Sequence, residues 1–259
     1  ADAGLEPTAL THVIAGTCTP DVLSPSVACI VAGQLGTGPV MAFNFGAACS
    51  GFLYGLSICR SLLVDRPDAK ILFICTEALT RRVNWTDRST CVLFGDAATA
   101  CIITSTSANA LAGLEDVICQ SDGTQRDLIT VGGGTSSRYT LGSAVGEDFF
   151  LTMRGRETYK HAVRNMVHVC ENVLSRNGLG TKDVNLLVPH QANMRIIEAV
   201  GSRLDMAGDR VFVNVDRYGN TSSASIPLAI AEAHAAGRIK SGDRLLVTAF
   251  GAGLTWGAA

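Results

Sequence analysis

The chain of 259 residues has no excess of basic charge: 21 lysines and arginines stand against 23 aspartates and glutamates, a net charge of −2 at pH 7. That balance lacks the electrostatic footprint of a nucleic-acid or anionic-membrane binder, although a local basic patch could still seat an acidic protein. No run of about 18 or more apolar residues occurs, so no membrane-spanning helix is expected. No charged segment leading into an apolar one opens the chain, so no secretory signal is visible. The chain begins at Ala1 without Met, in what reads as the end of a helix over Ala1 to Gly4, and a preceding segment, a targeting one included, stays open. The nine cysteines include no Cys-x-x-Cys pair, and their number is odd. Neither a disulfide scaffold nor a zinc site is expected. Eight of them are expected to be small buried thiols in a reducing cytosol, with Cys59, Cys75, Cys91, Cys101 and Cys170 in apolar surroundings. Proline is sparse, and there is no tandem repeat or low-complexity tract.

What the chain has is apolar residues, 47% of the total, arranged as short β-rich runs alternating with helical stretches. The runs are Val40 to Phe45, Ile71 to Cys75, Ala100 to Ile103, Leu186 to Val188, Val211 to Val215 and Leu245 to Phe250. Such alternation predicts an α/β fold with strands buried on both faces. Gln120 to Glu147, rich in Gly, Ser and Thr, reads as a long irregular excursion. One pattern occurs twice. Val40 to Phe45, a turn of small residues, the apolar helix Phe52 to Val64 and the strand Ile71 to Cys75 are echoed by Val211 to Val215, Asp216 to Ser222, the helix Ser223 to Ala236 and the strand Leu245 to Phe250. We read this as a duplication, with one half over residues 1–107 and the other over 108–259. A pseudo-two-fold would bring the two helix starts together, and with them Cys49 and Asn220, which hold matching places.

Three residues carry candidate chemistry. Cys49, in Ala47-Ala-Cys-Ser-Gly-Phe52, stands among small residues at a helix start. Unpaired N–H groups and the positive end of the helix dipole there favour thiolate. A thiolate is also a good leaving group, so an acyl group placed on it can move on. His190, in Leu186-Leu-Val-Pro-His-Gln-Ala-Asn193, follows a strand that ends at Pro189, with a new helix expected from Gln191 or Ala192. A histidine at such a strand end faces the crevice and can donate to an oxyanion or exchange a proton. The other four histidines fit structural readings, His12 opening a strand and His161, His168 and His234 lying in helical patterns. Asn220, in Arg217-Tyr-Gly-Asn-Thr-Ser-Ser223, would pass for ordinary turn and cap chemistry without the duplication. Acidic residues are not prominent in these segments. A site without a carboxylate base suits a reaction whose anion arises by loss of carbon dioxide and is held by hydrogen-bond donors.

The segments Ala47-Ala-Cys-Ser-Gly-Phe52, Thr86-Asp-Arg-Ser-Thr90, Phe94-Gly-Asp-Ala-Ala98, Val188-Pro-His-Gln-Ala-Asn-Met-Arg-Ile-Ile197, Asp216-Arg-Tyr-Gly-Asn-Thr-Ser222 and Phe250-Gly-Ala-Gly-Leu-Thr-Trp-Gly257 together resemble β-ketoacyl-acyl-carrier-protein synthase III, of the thiolase-like superfamily. The resemblance spans nearly the whole chain, in the family's order. It implies two duplicated halves layered αβαβα, and the initiating condensation of type II fatty-acid synthesis in the cytoplasm, with no cofactor. An acyl-CoA primer would acylate Cys49. Malonyl-acyl carrier protein would then lose carbon dioxide beside His190 and Asn220. It further implies Phe250 at the site border, the N–H groups of Ala252 and Cys49 as an oxyanion hole, Arg88 and Asn193 near the coenzyme A entrance, Arg195 on the carrier-protein docking face, and Leu23 reaching the acyl pocket of the partner in a homodimer. The family carries a strand and a helix before the place where this chain starts, with a Trp and an Arg that clamp the adenine end of coenzyme A. It also has a closing strand past Ala259. A smaller departure is Gly-Asp-Ala-Ala where Gly-Asp-Gly-Ala is usual, read as affecting a structural turn. Three other readings are a related synthase taking longer primers for a secondary metabolite, a thioester hydrolase, and a non-catalytic relic that binds acyl carriers. The chain has no Gly-x-Ser-x-Gly elbow, which counts against the hydrolase.

Overall fold

The computed structural model describes residues 3–106, 113–133 and 146–259. Strand β1 (His12–Gly16) is buried at all five positions. Burial at every position marks a strand covered on both faces, the usual state of a central parallel strand. It runs parallel to β2 (Met41–Phe45) on one side and β3 (Lys70–Ala78) on the other, and β4 (Asp96–Thr104) pairs antiparallel with β3. The first sheet thus has the order β2-β1-β3-β4. Strand β5 (Ile118–Ser121) belongs to a second sheet, β6 (Ile129–Val131) and β7 (Leu151–Met153) form a separate ribbon, and β8 (Leu186–Pro189), β9 (Leu245–Gly251) and β10 (Thr255–Ala258) complete the second sheet in the order β5-β10-β9-β8. β8 and β9 are parallel, and β10 is antiparallel to both its neighbours.

Helix α1 (Val27–Leu35) packs on the outer face of the first sheet, where Ala28 and Ala32 meet Val13, Ala15 and Ile74. Its start is capped by Ser26, which accepts from Cys29 N, and its end by Gly36 at φ 69°. Helix α2 (Gly51–Asp65) lies between the sheets. Helices α3 (Gly155–Arg176) and α4 (Met194–Arg203) cover the outer face of the second sheet through Val163, Met166, Cys170 and Val200 against Leu187, Leu246 and Phe250. After the single turn α5 (Val215–Tyr218), α6 (Ser225–Ala235) joins α2 in the middle layer. There Phe52, Leu53, Ile71 and Phe73 meet Val188, Ile226, Ala229 and Val247. The layering is αβαβα. Gly55 of α2 is required by this packing: a Cβ there would lie 2.0 Å from the Phe73 ring.

Strand by strand, β1, β2, β3 and β4 match β8, the segment 211–214, β9 and β10. Four sequence expectations need correction. Val211 to Val215 is not a strand. It makes one parallel bridge, Leu187 to Val211, and then turns into α5. The Gln191 side chain replaces the missing ladder, donating to Phe212 O at 3.2 Å and accepting from Asn214 N at 2.9 Å. Gln120 to Glu147 contains the end of β5, a 3-10 turn and β6, and its residues 134–145 lie outside the described residues. The closing strand expected past Ala259 lies beyond the described residues, whose last strand is β10. Ala97, the departure read as part of a turn, sits within β4 opposite Glu77. Of the Ala1 to Gly4 helix end, residues 1 and 2 lie outside the described residues, and Gly4 adopts φ 58°. The expected boundary at 107/108 also falls outside them.

Candidate active site

The Cys49 segment enters α2 through a 3-10 turn, Ala48–Ser50. Ala48 holds φ 45°, a left-handed conformation costly for a residue with a Cβ. The second unit repeats the device: Ser222, at φ 52°, opens the 3-10 turn Ser222–Ala224 that leads into α6. Matching the two turns places Cys49 opposite Ser223, so the sequence expectation that Asn220 is its counterpart is off by three residues. The helix starts do converge, as the duplication implies. A Cβ on Gly51 would lie 2.8 Å from that of Ser223. Behind Cys49, a Cβ on Gly251 would stand 2.7 Å from Cys49 N, and the Thr255 hydroxyl donates to Ala47 O and Ala252 O, both at 3.1 Å. The Ala252 turn and the Cys49 turn are therefore locked together.

Asn220 is held at every backbone and side-chain acceptor. Its N–H donates to Leu93 O at 2.7 Å, and its carbonyl accepts from Gly95 N at 3.0 Å. The close approach explains Gly95, since a Cβ there would meet Tyr218 O at 2.1 Å. The Asn220 side-chain oxygen accepts from Ser222 N at 2.9 Å, which leaves the amide NH2 to face the cysteine. Burial pushes the Cys49 thiol up to about 12, with the Glu77 charge acting in the same sense and the polar Ser222 and Asn220 side chains opposing it. The resting group is a thiol. The expectation from the helix start alone, a lowered value, is overturned because enclosure outweighs the dipole.

His190 is 1% exposed, and its N–H donates to Thr248 O of β9 at 2.7 Å. Its Nδ1 lies 2.6 Å from Ser225 Oγ at the start of α6. Burial lowers its pKa to about 3, so the imidazole is neutral. The helix expected at Gln191 or Ala192 begins instead at Met194. Asn193 is its N-cap, accepting from Ile196 N at 3.0 Å, because Gln191 is drawn inward to hold Phe212 and Asn214. No hydrogen bond joins His190 to Cys49 among the described residues. His190 is tied to β9 through Thr248 and to the α6 start through Ser225, and Cys49 lies against Gly251 of β9.

Sequence reasoning missed Glu77. Its carboxylate, 3% exposed at the end of β3, accepts from Cys18 N at 3.1 Å, Cys18 Sγ at 3.2 Å, Thr19 Oγ1 at 2.9 Å, Ser222 Oγ at 3.1 Å and Ser223 Oγ at 2.9 Å. The site has a buried carboxylate after all, engaged as an acceptor and not as a base. A charged residue inside an otherwise apolar strand was the available signal. Among the remaining expected residues, Phe250 is buried in the core cluster with α3. Arg88 and Arg195 are exposed, Asn193 is half-buried, and Leu23 is 88% exposed. Arg195 points outward on α4 while His190 points in. Cys59, Cys75 and Cys170 are buried as expected, but Cys29 is exposed on α1. Among the described residues no cluster of His, Cys, Asp and Glu could hold a metal, and no helix is long and apolar enough to cross a membrane.

A cysteine and a side-chain amide near paired helix starts, with a buried neutral histidine held at the start of α6, in an αβαβα fold, fit a thiolase-like condensing enzyme. The models for 3-oxoacyl-[acyl-carrier-protein] synthase III and for its C-terminal part match residues 43–123 and 174–259. A β-ketoacyl-[acyl-carrier-protein] synthase III of Nitratidesulfovibrio vulgaris (strain Miyazaki F) is 57% identical over all of this chain and 78% of its own length. The solved 3-oxoacyl-[acyl-carrier-protein] synthase III structures of Aquifex aeolicus and Thermus thermophilus superpose with TM-scores of 0.89 and 0.90 at 41% and 39% identity, each over 99% of this chain and 78% of the other. The chain belongs to the 3-oxoacyl-[acyl-carrier-protein] synthase III family and is a condensing acyltransferase, the initiating enzyme of fatty-acid synthesis.

Proposed function

We propose that Cys49 is the acyl carrier and that His190 and Asn220 hold the malonyl thioester during decarboxylation. The observation that carries this is the fixed Asn220 amide, whose oxygen is occupied by Ser222 N, leaving its NH2 as the donor for the site. In the first half-reaction Cys49 sulfur attacks the thioester carbon of an acyl-CoA. The oxyanion is held by the N–H groups of Cys49 and Ala252, and coenzyme A leaves as its thiol with the cysteine proton. In the second, malonyl-acyl carrier protein loses carbon dioxide. The electron pair left behind forms an enolate whose oxygen accepts from His190 and Asn220, and its carbon attacks the acyl-cysteine carbonyl. The new carbon–carbon bond forms as the Cys49 carbon–sulfur bond breaks, giving the β-ketoacyl carrier protein, and the expelled thiolate takes a proton from solvent to restore the thiol. No cofactor is needed, because each step moves electron pairs between thioesters.

Arg88 and Asn193 flank the coenzyme A entrance in this reading. Arg195, exposed at the start of α4, meets the acidic carrier protein. Exposed Val22 and Leu23, with Met41 on the open edge strand β2, support a homodimer in which Leu23 reaches the partner's acyl pocket. Nine free cysteines support a cytoplasmic location. The test measures acyl transfer and carbon dioxide release separately. Asn220→Ala should still acylate at Cys49 and release carbon dioxide on the order of 10²–10³ more slowly. Cys49→Ala should not acylate but should still release carbon dioxide. Decarboxylation by Asn220→Ala at the parent rate overturns the assignment.

A further inference from the structure

We propose that Ser225 is a positioning residue that fixes the tautomer of His190, so that the imidazole presents Nε2–H to the substrate. The inference rests on the reading of His190 as an oxyanion donor, and adds which nitrogen donates and what decides it. Ser225 Oγ lies 2.6 Å from His190 Nδ1, with both residues 1% exposed. The same oxygen is approached by the N–H of Gln191 at 3.4 Å, which can only donate. A hydroxyl has one proton to give. If Nδ1 carried the imidazole proton, Ser225 Oγ would accept from two donors, and its own proton would have no acceptor among its hydrogen bonds in this buried place. An orphaned buried donor is costly. If Ser225 donates to Nδ1, every group is satisfied: Gln191 N–H gives to Oγ, Oγ–H gives to Nδ1, and the single ring proton falls on Nε2. Among the described residues no carboxylate contacts the ring to favour imidazolium, and burial keeps it neutral.

The arrangement parallels that of Asn220, whose oxygen is occupied by Ser222 N so that its NH2 is what remains to face the site. The first turns leading into α6 thus aim both donors by occupying the acceptor of each. Ser225 touches neither thioester nor Cys49 in this scheme.

The test has a part that needs no variant. In enzyme labelled with 15N-histidine, the His190 signal should show a non-protonated Nδ1 and a protonated Nε2, unchanged from pH 6 to pH 8. A protonated Nδ1 overturns the proposal and leaves the half-reaction assignments for Cys49 and Asn220 untouched. In the second part, Ser225→Ala should acylate Cys49 from acyl-CoA at close to the parent rate while carbon dioxide release falls about 10- to 100-fold, part of the cost of a lost oxyanion donor. Ser225→Thr, which keeps the hydroxyl, should recover most of it. Equal loss in both half-reactions, or no rescue by threonine, assigns Ser225 a packing role only and overturns the proposal.

Discussion

The two halves share a backbone device and put it to different ends. Each enters its central helix through a 3-10 turn opened by a non-glycine residue in the left-handed region, Ala48 in one and Ser222 in the other. Each turn packs against the end of the long strand of the opposite half. Cys49 lies against Gly251 of β9, and Ser223 against Glu77 of β3. Where the second half presents a glycine, the Cys49 backbone can approach β9 closely, since a Cβ there would stand 2.7 Å from Cys49 N. Where the first half presents a carboxylate, the corresponding position is filled and tied down. The halves also differ outside the site. The second sheet has β5 on the outer edge of β10 and the 22-residue helix α3 over its outer face, whereas among the described residues the outer edge of β4 is unpaired and α1 alone covers the outer face of the first sheet. A duplicated scaffold can thus keep its geometry while chemistry is divided: nucleophile from one half, donors from the other.

The largest expected effect tests the tied-down side. Glu77→Ala would leave five donors without their acceptor, the Ser222 and Ser223 hydroxyls among them buried, and unfasten Cys18, Thr19, Ser222 and Ser223 from one another. Stability should fall by about 3–5 kcal/mol, read from denaturant midpoints. A loss under about 1 kcal/mol would show that the two turns do not depend on it. The open side is tested by Gly251→Ala, whose Cβ would stand 2.7 Å from Cys49 N. Displacing the nucleophile by a fraction of an ångström should slow acylation by on the order of 10²-fold with little change in fold, since misplacement is paid in rate. Acylation at the parent rate would mean the glycine matters only for packing.

A smaller effect compares the buried histidines of the halves. His190 is lowered to about 3 by burial, and His12 is lowered by burial and then by Arg66. An unfolded histidine titrates near 6.5, so below that pH the unfolded chain binds a proton that folded His190 refuses. Stability from this group is therefore complete above about pH 6.5 and falls as pH drops towards 3, with about 2 kcal/mol gone by pH 5. His190→Asn should flatten the acid limb of the stability profile more than His12→Asn does. Equal flattening would remove the distinction.

By itself, the sequence determined the strand and helix alternation and the duplicated unit, and it singled out three candidate reactive residues. These are signalled by local pattern: apolar runs bounded by small residues, and a Cys, a His and an Asn at turns before helices. The places where local reading failed are places where a distant residue decided. Val211 to Val215 has strand composition, yet Gln191 takes its hydrogen bonds after one bridge. Cys49 sits at a helix start, yet enclosure by elements from both halves keeps it a thiol. Glu77 belongs to a strand about thirty residues from the cysteine, and only the crossing of the halves delivers Ser222 and Ser223 to it. The tautomer of His190 depends on a serine 35 residues away. Identity of the reactive groups is a property of the chain. Protonation and aim depend on desolvation and on which acceptors are already occupied, and those exist only once the two halves have packed.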